Sequence, residues 1–465
     1  MFKRHLVGNA FLLLFTAVIA LAQTQLTPEL RQKVDTIAND ALAKSGVPSA
    51  SIAIVKDGHI AYLNAYGNAR LEPQGPARPG MRYSVGSISK QFTATAILLL
   101  QEQGKLSLDD KVARFIPDLT RANEVTIREL LSHTSGYQDY WPQDYVMPTM
   151  LQPVTAQKIL DTWARKPLDF DPGTKWQYSN TNYVIAGLIV EKASGMPLLQ
   201  FLQEKVFTPL DMKSVANIDQ QKLGDTDAVG YMRYALGPLR PAPKEGKGWL
   251  FAAGELAMPA EDLAKWDVSI IDQKLMKPSS YREFETEVVL RNGLGTRYGL
   301  GVEVSSEFGD RAIYHDGEVS GYTADNMVFP DQRVAIAVLT NQDAASACDE
   351  IARGIAPLLL TGDDPETPAK LEQAKKIFEG LQDGTIDRSL FTDDANFYFN
   401  DQALKDFASG LRPLGTPESF TQVRQSLRGG MKLRVYEVKF PNQTVRAWTY
   451  EMPDGKLEQY QVAPQ

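Results

Sequence analysis

The stretch from Phe92 to Leu100 constrains this chain most: Phe92, Ala94, Ala96, Ile97, Leu98, Leu99 and Leu100 are all apolar, and Gly104 stops the run. Residues 88–103 read as one helix, and a helix that is apolar all round must be buried inside a large domain. The 465 residues can supply one. At roughly 150 residues per domain the prior is about three domains, and a sizeable core is no difficulty. The 57 acidic and 49 basic side chains give a net charge of −8, which argues against nucleic acid as the main partner. The single cysteine, Cys348, excludes an intrachain disulfide and reads as a small buried apolar residue. His5, His59, His133 and His315 are too few and too scattered for a zinc signature, so neither metal nor cofactor is expected.

Lys3 and Arg4 precede an apolar run from Phe11 to Ala22, and Ala20-Leu21-Ala22 places small residues where a signal peptidase reads. Residues 1–22 read as a secretory signal peptide cleaved before Gln23, the alternative being a retained anchor. The run is short for a bilayer span. The expected product is periplasmic or secreted, with no membrane span in the mature chain. Losing Lys3 and Arg4 takes its charge from −8 to −10.

Thr27-Pro28 reads as an N-cap with Pro at the first helical position; Leu30, Val34, Ile37, Ala41 and Leu42 follow at helical spacing, and Gly46 stops them. Ala50–Val55 and Ile60–Tyr66 read as strands around an Asp57-Gly58 hairpin turn. Tyr183–Ala193 reads as another apolar helix. Ala324–Phe329 and Val334–Thr340 read as a strand pair, followed by a helix from about Ala345 to Leu360. Composition then shifts. Residues 362–370 read as a polar, proline-containing linker, and 371–465 as a small α+β domain. In it, Leu371–Leu381 reads as a helix, and Ala395–Phe399, Leu433–Phe440, Thr444–Tyr450 and Leu457–Val462 as strands.

No Gly-x-Ser-x-Gly elbow, His-Glu-x-x-His, Gly-x-Gly-x-x-Gly or phosphate loop is present. What remains is Ser87-Ile88-Ser89-Lys90 at the head of the apolar helix. Positions i and i+3 share a helix face, so hydroxyl and amine can touch. A serine needs a base to take its proton, and a lysine becomes that base when desolvation lowers its pKa. A capping serine beside a surface lysine would give the same four letters. Two further elements add weight. Trp176-Gln177-Tyr178-Ser179-Asn180 places a phenol and an amide two residues apart, on one side of an extended backbone. Tyr314-His315-Asp316-Gly317-Glu318 lies just ahead of a strand, with a glycine where a substrate can approach the backbone.

The order Ser87 and Lys90, then Tyr178 and Asn180, then His315 and Gly317, resembles the penicillin-recognising serine hydrolases, more closely the class C β-lactamase and D-alanyl-D-alanine carboxypeptidase group. Leu130-Leu131-Ser132-His133-Thr134-Ser135-Gly136, Pro172-Gly173 and Tyr298-Gly299-Leu300-Gly301 are similar to that family as well, and the resemblance covers about residues 28–360. It implies an α+β fold: an antiparallel sheet flanked by helices, beside an all-helical lobe, with the site between them. It implies Ser87 as the acylated nucleophile, Lys90 and Tyr178 sharing general-base and general-acid work, and Asn180 on the substrate amide. His315 and Gly317 would also line the substrate, and the N–H groups of Ser87 and Glu318 would form the oxyanion hole. The C-terminal domain loosely resembles the nuclear-transport-factor-like superfamily.

The chain departs from the family at two places. His315-Asp316-Gly317 stands where lactamases carry Lys-Thr-Gly, and a histidine is largely neutral at pH 7. Glu255 stands where a second glycine is usual after Gly254, either facing solvent or closing the pocket. His133 with Ser135 reads as a turn residue bonded to backbone or as a second dyad. Tyr137, Tyr140 and Trp141 line a pocket or fill the core, and His59 is expected on the surface. The reading is an exported serine hydrolase forming an acyl-enzyme on Ser87, acting on D-alanyl peptides or amides. The alternatives are a small-ester esterase, a weak β-lactamase, or a non-catalytic binder of cell-wall fragments.

Overall fold

The computed structural model describes residues 25–306, 310–360 and 367–464. The expected signal segment, 1–22, lies outside the described residues, as do residues 362–366 of the expected linker. The described residues form two compact units, the first running to Ala356 and the second starting at Pro357.

In the first unit, helix α1 (Pro28–Ser45) begins where Thr27 Oγ1 accepts the Leu30 N–H at 3.2 Å and ends at Gly46, whose φ of 73° suits glycine. Strands β1 (Ser49–Lys56) and β2 (His59–Leu71) follow, joined through Asp57 and Gly58 with φ of 54° and 77°, as a tight hairpin turn requires. A short β3 (Gln74–Pro76) completes this half of the sheet. The next stretch carries the buried helices α2 (Ser89–Glu102) and α3 (Asn180–Ser194), which pack on each other, and α4 (Ala260–Asp272). The chain then returns as β4 (Glu303–Ser305), β5 (Ala312–Val319), β6 (Tyr322–Phe329) and β7 (Val334–Thr340), ending in α5 (Ala347–Leu360).

The seven strands form one sheet in the order β3-β2-β1-β7-β6-β5-β4, every neighbour antiparallel. Its halves join at β1 and β7, with Ala50 opposite Thr340 and Ile54 opposite Ile336. β1 is buried from Ser49 to Val55. Successive side chains point to opposite faces, so both faces of the sheet are covered. α4 lies against β1, β2, β6 and β7, and its Trp266 shares a core with Ala53, Val55 and Phe92. α2 is buried at eleven of its fourteen positions, as its composition demands. Among the described residues no single helix is long and apolar enough to cross a membrane.

The second unit comprises α6 (Thr367–Asp383), α7 (Asp393–Tyr398) and α8 (Asp401–Leu411), then a meander of β8 (Ser419–Arg428), β9 (Met431–Phe440), β10 (Gln443–Glu451) and β11 (Leu457–Pro464). Its core gathers Phe378, Leu381, Phe391, Phe399, Tyr436 and Tyr460. Two expectations are corrected here. The stretch read as a strand at Ala395–Phe399 is largely α7, because Thr392 Oγ1 caps it by accepting the Ala395 N–H, and Asp393 and Asp394 suit its first turn. Residues 367–370, read as linker, already belong to α6.

Candidate active site

Ser87 sits in a single 3-10 turn, Gly86–Ile88, that runs directly into α2. Gly86 makes that turn possible: its φ is 49°, and a Cβ there would lie 2.8 Å from the Glu318 nitrogen of β5. Gly317 is needed for the same junction, since a Cβ on it would meet the Val85 carbonyl at 2.0 Å and the Ser87 nitrogen at 3.3 Å. The glycine expected to admit a substrate therefore admits the protein's own Ser87 turn. The pair of glycines brings the Ser87 backbone against Glu318. Residues 314–318 do stand just ahead of a strand, β6, and are themselves part of β5, whose edge β4 covers only from Ala312 to Tyr314.

Lys90, one helical turn on, is fully buried. Its Nζ lies 2.8 Å from Ser87 Oγ, 2.8 Å from Asn180 Oδ1 and 2.9 Å from the Ala253 carbonyl. Burial lowers its pKa to about 7, against the opposing pull of the Asp139 and Asp316 charges. Two of its three partners are carbonyl oxygens, which only accept. A neutral Lys90 therefore spends both N–H groups on Asn180 and Ala253 and leaves its lone pair for the Ser87 O–H. Tyr178 Oη donates to Ser87 Oγ at 2.8 Å from the other side. Burial holds this phenol well above its ordinary pKa, so it stays a donor.

Asn180 opens α3, and Asp139 holds it. Asp139 Oδ1 accepts the Asn180 N–H at 2.9 Å and the Trp141 N–H at 3.1 Å, and Oδ2 faces Asn180 Nδ2 at 3.3 Å. A carboxylate cannot donate, so it turns the amide to present Oδ1 to Lys90. His133 supports Tyr178 from behind. Its ring stacks on the phenol with centroids 4.3 Å apart, and its Nδ1 accepts the Ser179 N–H at 3.2 Å. The second-dyad reading fails, because Ser135 Oγ donates to Asn182 Oδ1 at 2.6 Å instead. Above Ser87 lies a cavity of about 1100 Å³, walled in part by Asp139, Tyr140, Trp141, Trp176, Tyr178, Asn180 and Glu318. Among the described residues no cluster of His, Cys, Asp and Glu is arranged to hold a metal ion.

Comparison with known proteins identifies the family. The sequence profile described as Beta-lactamase matches residues 34–356. The chain belongs to the beta-lactamase family. It is a serine hydrolase of the β-lactamase and D-alanyl-D-alanine carboxypeptidase type. It is 29% identical over 367 residues to penicillin-binding protein 4* of Bacillus subtilis (strain 168), covering 72% of this chain and 80% of that protein. It is 29% identical over 331 residues to protein flp of Staphylococcus aureus (strain MW2), covering 68% of this chain but only 64% of that relative's length. A D-stereospecific amidohydrolase from Streptomyces sp. superposes with a TM-score of 0.60 at 26% identity, over 70% of this chain and 98% of that one. The octameric penicillin-binding protein homologue from Pyrococcus abyssi shares the fold, with a TM-score of 0.63 at 23% identity, over 93% of this chain and 99% of that one.

In this member of the family, Ser87, Lys90, Tyr178 and Asn180 converge, and Glu318 joins them through its backbone. His315 does not line the cavity. It is 2% exposed, its Nε2 meets Tyr298 Oη at 2.8 Å, its Nδ1 meets its own Asp316 carbonyl at 2.5 Å, and burial lowers its pKa to about 4. The expected substrate contact is corrected to a neutral group behind the wall. Glu255 neither faces solvent nor walls the pocket. It is buried, accepts Asn217 Nδ2 at 2.8 Å and is pushed up to about 8, so it is neutral at pH 7. Tyr137 is core, Tyr140 and Trp141 wall the cavity, and His59 is exposed. Asp139 and Gly86 escaped the sequence reading; the run Tyr137–Trp141 around Asp139 was its only signal.

Proposed function

We propose that this protein is an exported serine hydrolase that acylates Ser87, with D-alanyl peptides or amides as its substrates. The observation that carries the reading is the placement of Ser87 Oγ at 2.8 Å from both Lys90 Nζ and Tyr178 Oη. Ser87 Oγ bonds to the substrate carbonyl carbon while its proton passes to the neutral Lys90 amine. The N–H groups of Ser87 and Glu318 receive the oxyanion. The leaving nitrogen takes a proton from the Lys90 ammonium through the Tyr178 hydroxyl, and the C–N bond breaks. Water then attacks the acyl carbonyl and gives its proton to Lys90; Oγ takes it back as the acid leaves. Asn180 holds the substrate amide through the Nδ2 side of its carboxamide. The similarity to a penicillin-binding protein and to a D-stereospecific amidohydrolase supports the substrate class, and the charged-then-apolar segment at residues 3–22 supports export.

A small ester is the second reading, favoured by one observation. His315, at the third motif, is neutral and turned to Tyr298, so it supplies no fixed cation for a substrate carboxylate. Incubation with a fluorophosphonate, read by intact mass and peptide mapping, should add one adduct on Ser87 and none in Ser87→Ala. Turnover of a panel of D-alanyl amides, D-alanyl dipeptides and aryl esters then ranks the two substrate classes. Normal hydrolysis by Ser87→Ala would sink the mechanism.

A further inference from the structure

We propose that the cavity over Ser87 selects substrates that carry a positive charge, an ammonium or quaternary ammonium group, near the scissile bond. This rests on the serine-hydrolase reading above and adds what that reading leaves open, the charge of the molecule that enters. Ser87 marks the site; the walls decide what it accepts.

Six carboxylates line the cavity: Asp139, Asp144, Glu303, Asp316, Glu318 and Asp343. Arg233 is the one basic side chain among the lining residues, and its guanidinium is committed elsewhere, donating through Nη2 to the Gly46 carbonyl at 3.1 Å and to Gln342 Oε1 at 3.3 Å. Lys90, behind the lining, has to be neutral to take the serine proton, and Arg353 offsets part of the charge at Glu303 only. Three of the carboxylates have internal work: Asp139 holds Asn180, Glu318 accepts the Ala344 N–H at 2.8 Å, and Asp343 accepts the Gly321 N–H at 2.9 Å. The side-chain oxygens of Asp144, Glu303 and Asp316 accept no hydrogen bond among the described residues; the neighbouring His315 Nδ1 stays 3.8 Å from Asp316 Oδ1. Like charges crowd here: Asp316 adds to burial in raising Glu303, and Asp343, Asp144 and Asp316 add to it in raising Glu318.

The second observation concerns the apolar part of the wall. Trp141, Tyr145, Trp176 and Tyr234 line the same cavity, and Tyr145, Trp176 and Tyr234 are 66%, 40% and 73% exposed. Aromatic faces attract cations as well as apolar groups. Carboxylates and aromatic rings together favour an organic cation over its neutral isostere. The same carboxylates repel an anion in a cleft whose walls focus the field.

The test uses three matched 4-nitrophenyl esters whose acyl chains end in trimethylammonium, tert-butyl or carboxylate, and a second set with those groups on the leaving side. In at least one set the cation should exceed the tert-butyl isostere by about tenfold in kcat/KM, with the anion slower than both. The gap should shrink in about 0.5 M salt and in the triple variant Asp144→Asn, Glu303→Gln, Asp316→Asn. A tert-butyl ester cleaved as well as the cation in both sets overturns the inference, and so does a preference unchanged in the triple variant. Absence of turnover together with absence of fluorophosphonate labelling at Ser87 would remove the hydrolase reading, and this inference with it.

Discussion

Lys90 in the first unit and Arg434 in the second are both fully buried cations, yet their partners differ in kind. Lys90 touches a hydroxyl, an amide oxygen and a backbone carbonyl, none of them charged. Arg434 Nη1 donates to Glu451 Oε2, and Glu451 Oε1 also takes Lys370 Nζ at 2.7 Å. Burial penalises a charge, and a carboxylate in direct contact offsets that penalty more fully than distant charges or neutral acceptors do. Lys90 lacks that contact and drops to about 7, where an amine can act as a base. Arg434 has that contact through Glu451. One buried cation is chemistry and the other is structure, and the choice of neighbours separates them.

The comparison breaks if Lys90 can be replaced by a permanent cation. Lys90→Arg should lower kcat by about three orders of magnitude, as Lys90→Ala should, since neither can accept the Ser87 proton; steady-state kinetics on an aryl ester reads this. Arg434→Met tests the other half. With Lys370 still paired to Glu451, losing the Arg434 bond should cost about 1.5–3 kcal/mol in the unfolding of the second unit by denaturant, a loss that would be absent if the pair were incidental.

A third buried group extends the contrast to carboxyls. Asp267 is fully buried, accepts Asn326 Nδ2 at 2.8 Å and is pushed up to about 8 by burial. An unfolded aspartate titrates near 3.8, so between that pH and about 8 the folded state holds the extra proton, and stability falls as pH rises through the window. Asp267→Asn, which mimics the neutral acid, should gain on the order of 1–3 kcal/mol at pH 8 and little at pH 4, seen in thermal melts at the two pH values. The smallest effect is expected behind the phenol. His133→Phe keeps the stack on Tyr178 but loses the acceptor for the Ser179 N–H, and kcat should fall about tenfold with KM little changed.

Much of the frame was legible because its signals are local. The Thr27 cap and the Gly46 stop bound α1, and the spacing from Ser87 to Lys90 brings the two side chains together on one turn. The rest depends on partners far along the chain. Nothing near Asp139 says that it will meet the start of α3, and nothing near Gly86 says that β5 will press on it. Gly317 was noticed, but for a substrate, whereas the Val85 carbonyl occupies the space. His315 was placed at the substrate because its motif position suggested it; Tyr298 captures its ring instead. The stretch from Ala395 to Phe399 alternates like a strand, yet the cap at Thr392 and the two aspartates after it decide for a helix.

The central claim is that an uncharged Lys90 takes the proton from Ser87. The rate of fluorophosphonate labelling at Ser87, followed by intact mass between pH 5 and 9, tests it most directly. The rate should rise with pH, because the free amine is the active form, with half of its maximum near the Lys90 value of about 7. Asp139→Asn should move that midpoint to lower pH, since the Asp139 charge raises the Lys90 pKa. A labelling rate that is flat with pH, or equal in Lys90→Ala and the wild type, would contradict the account.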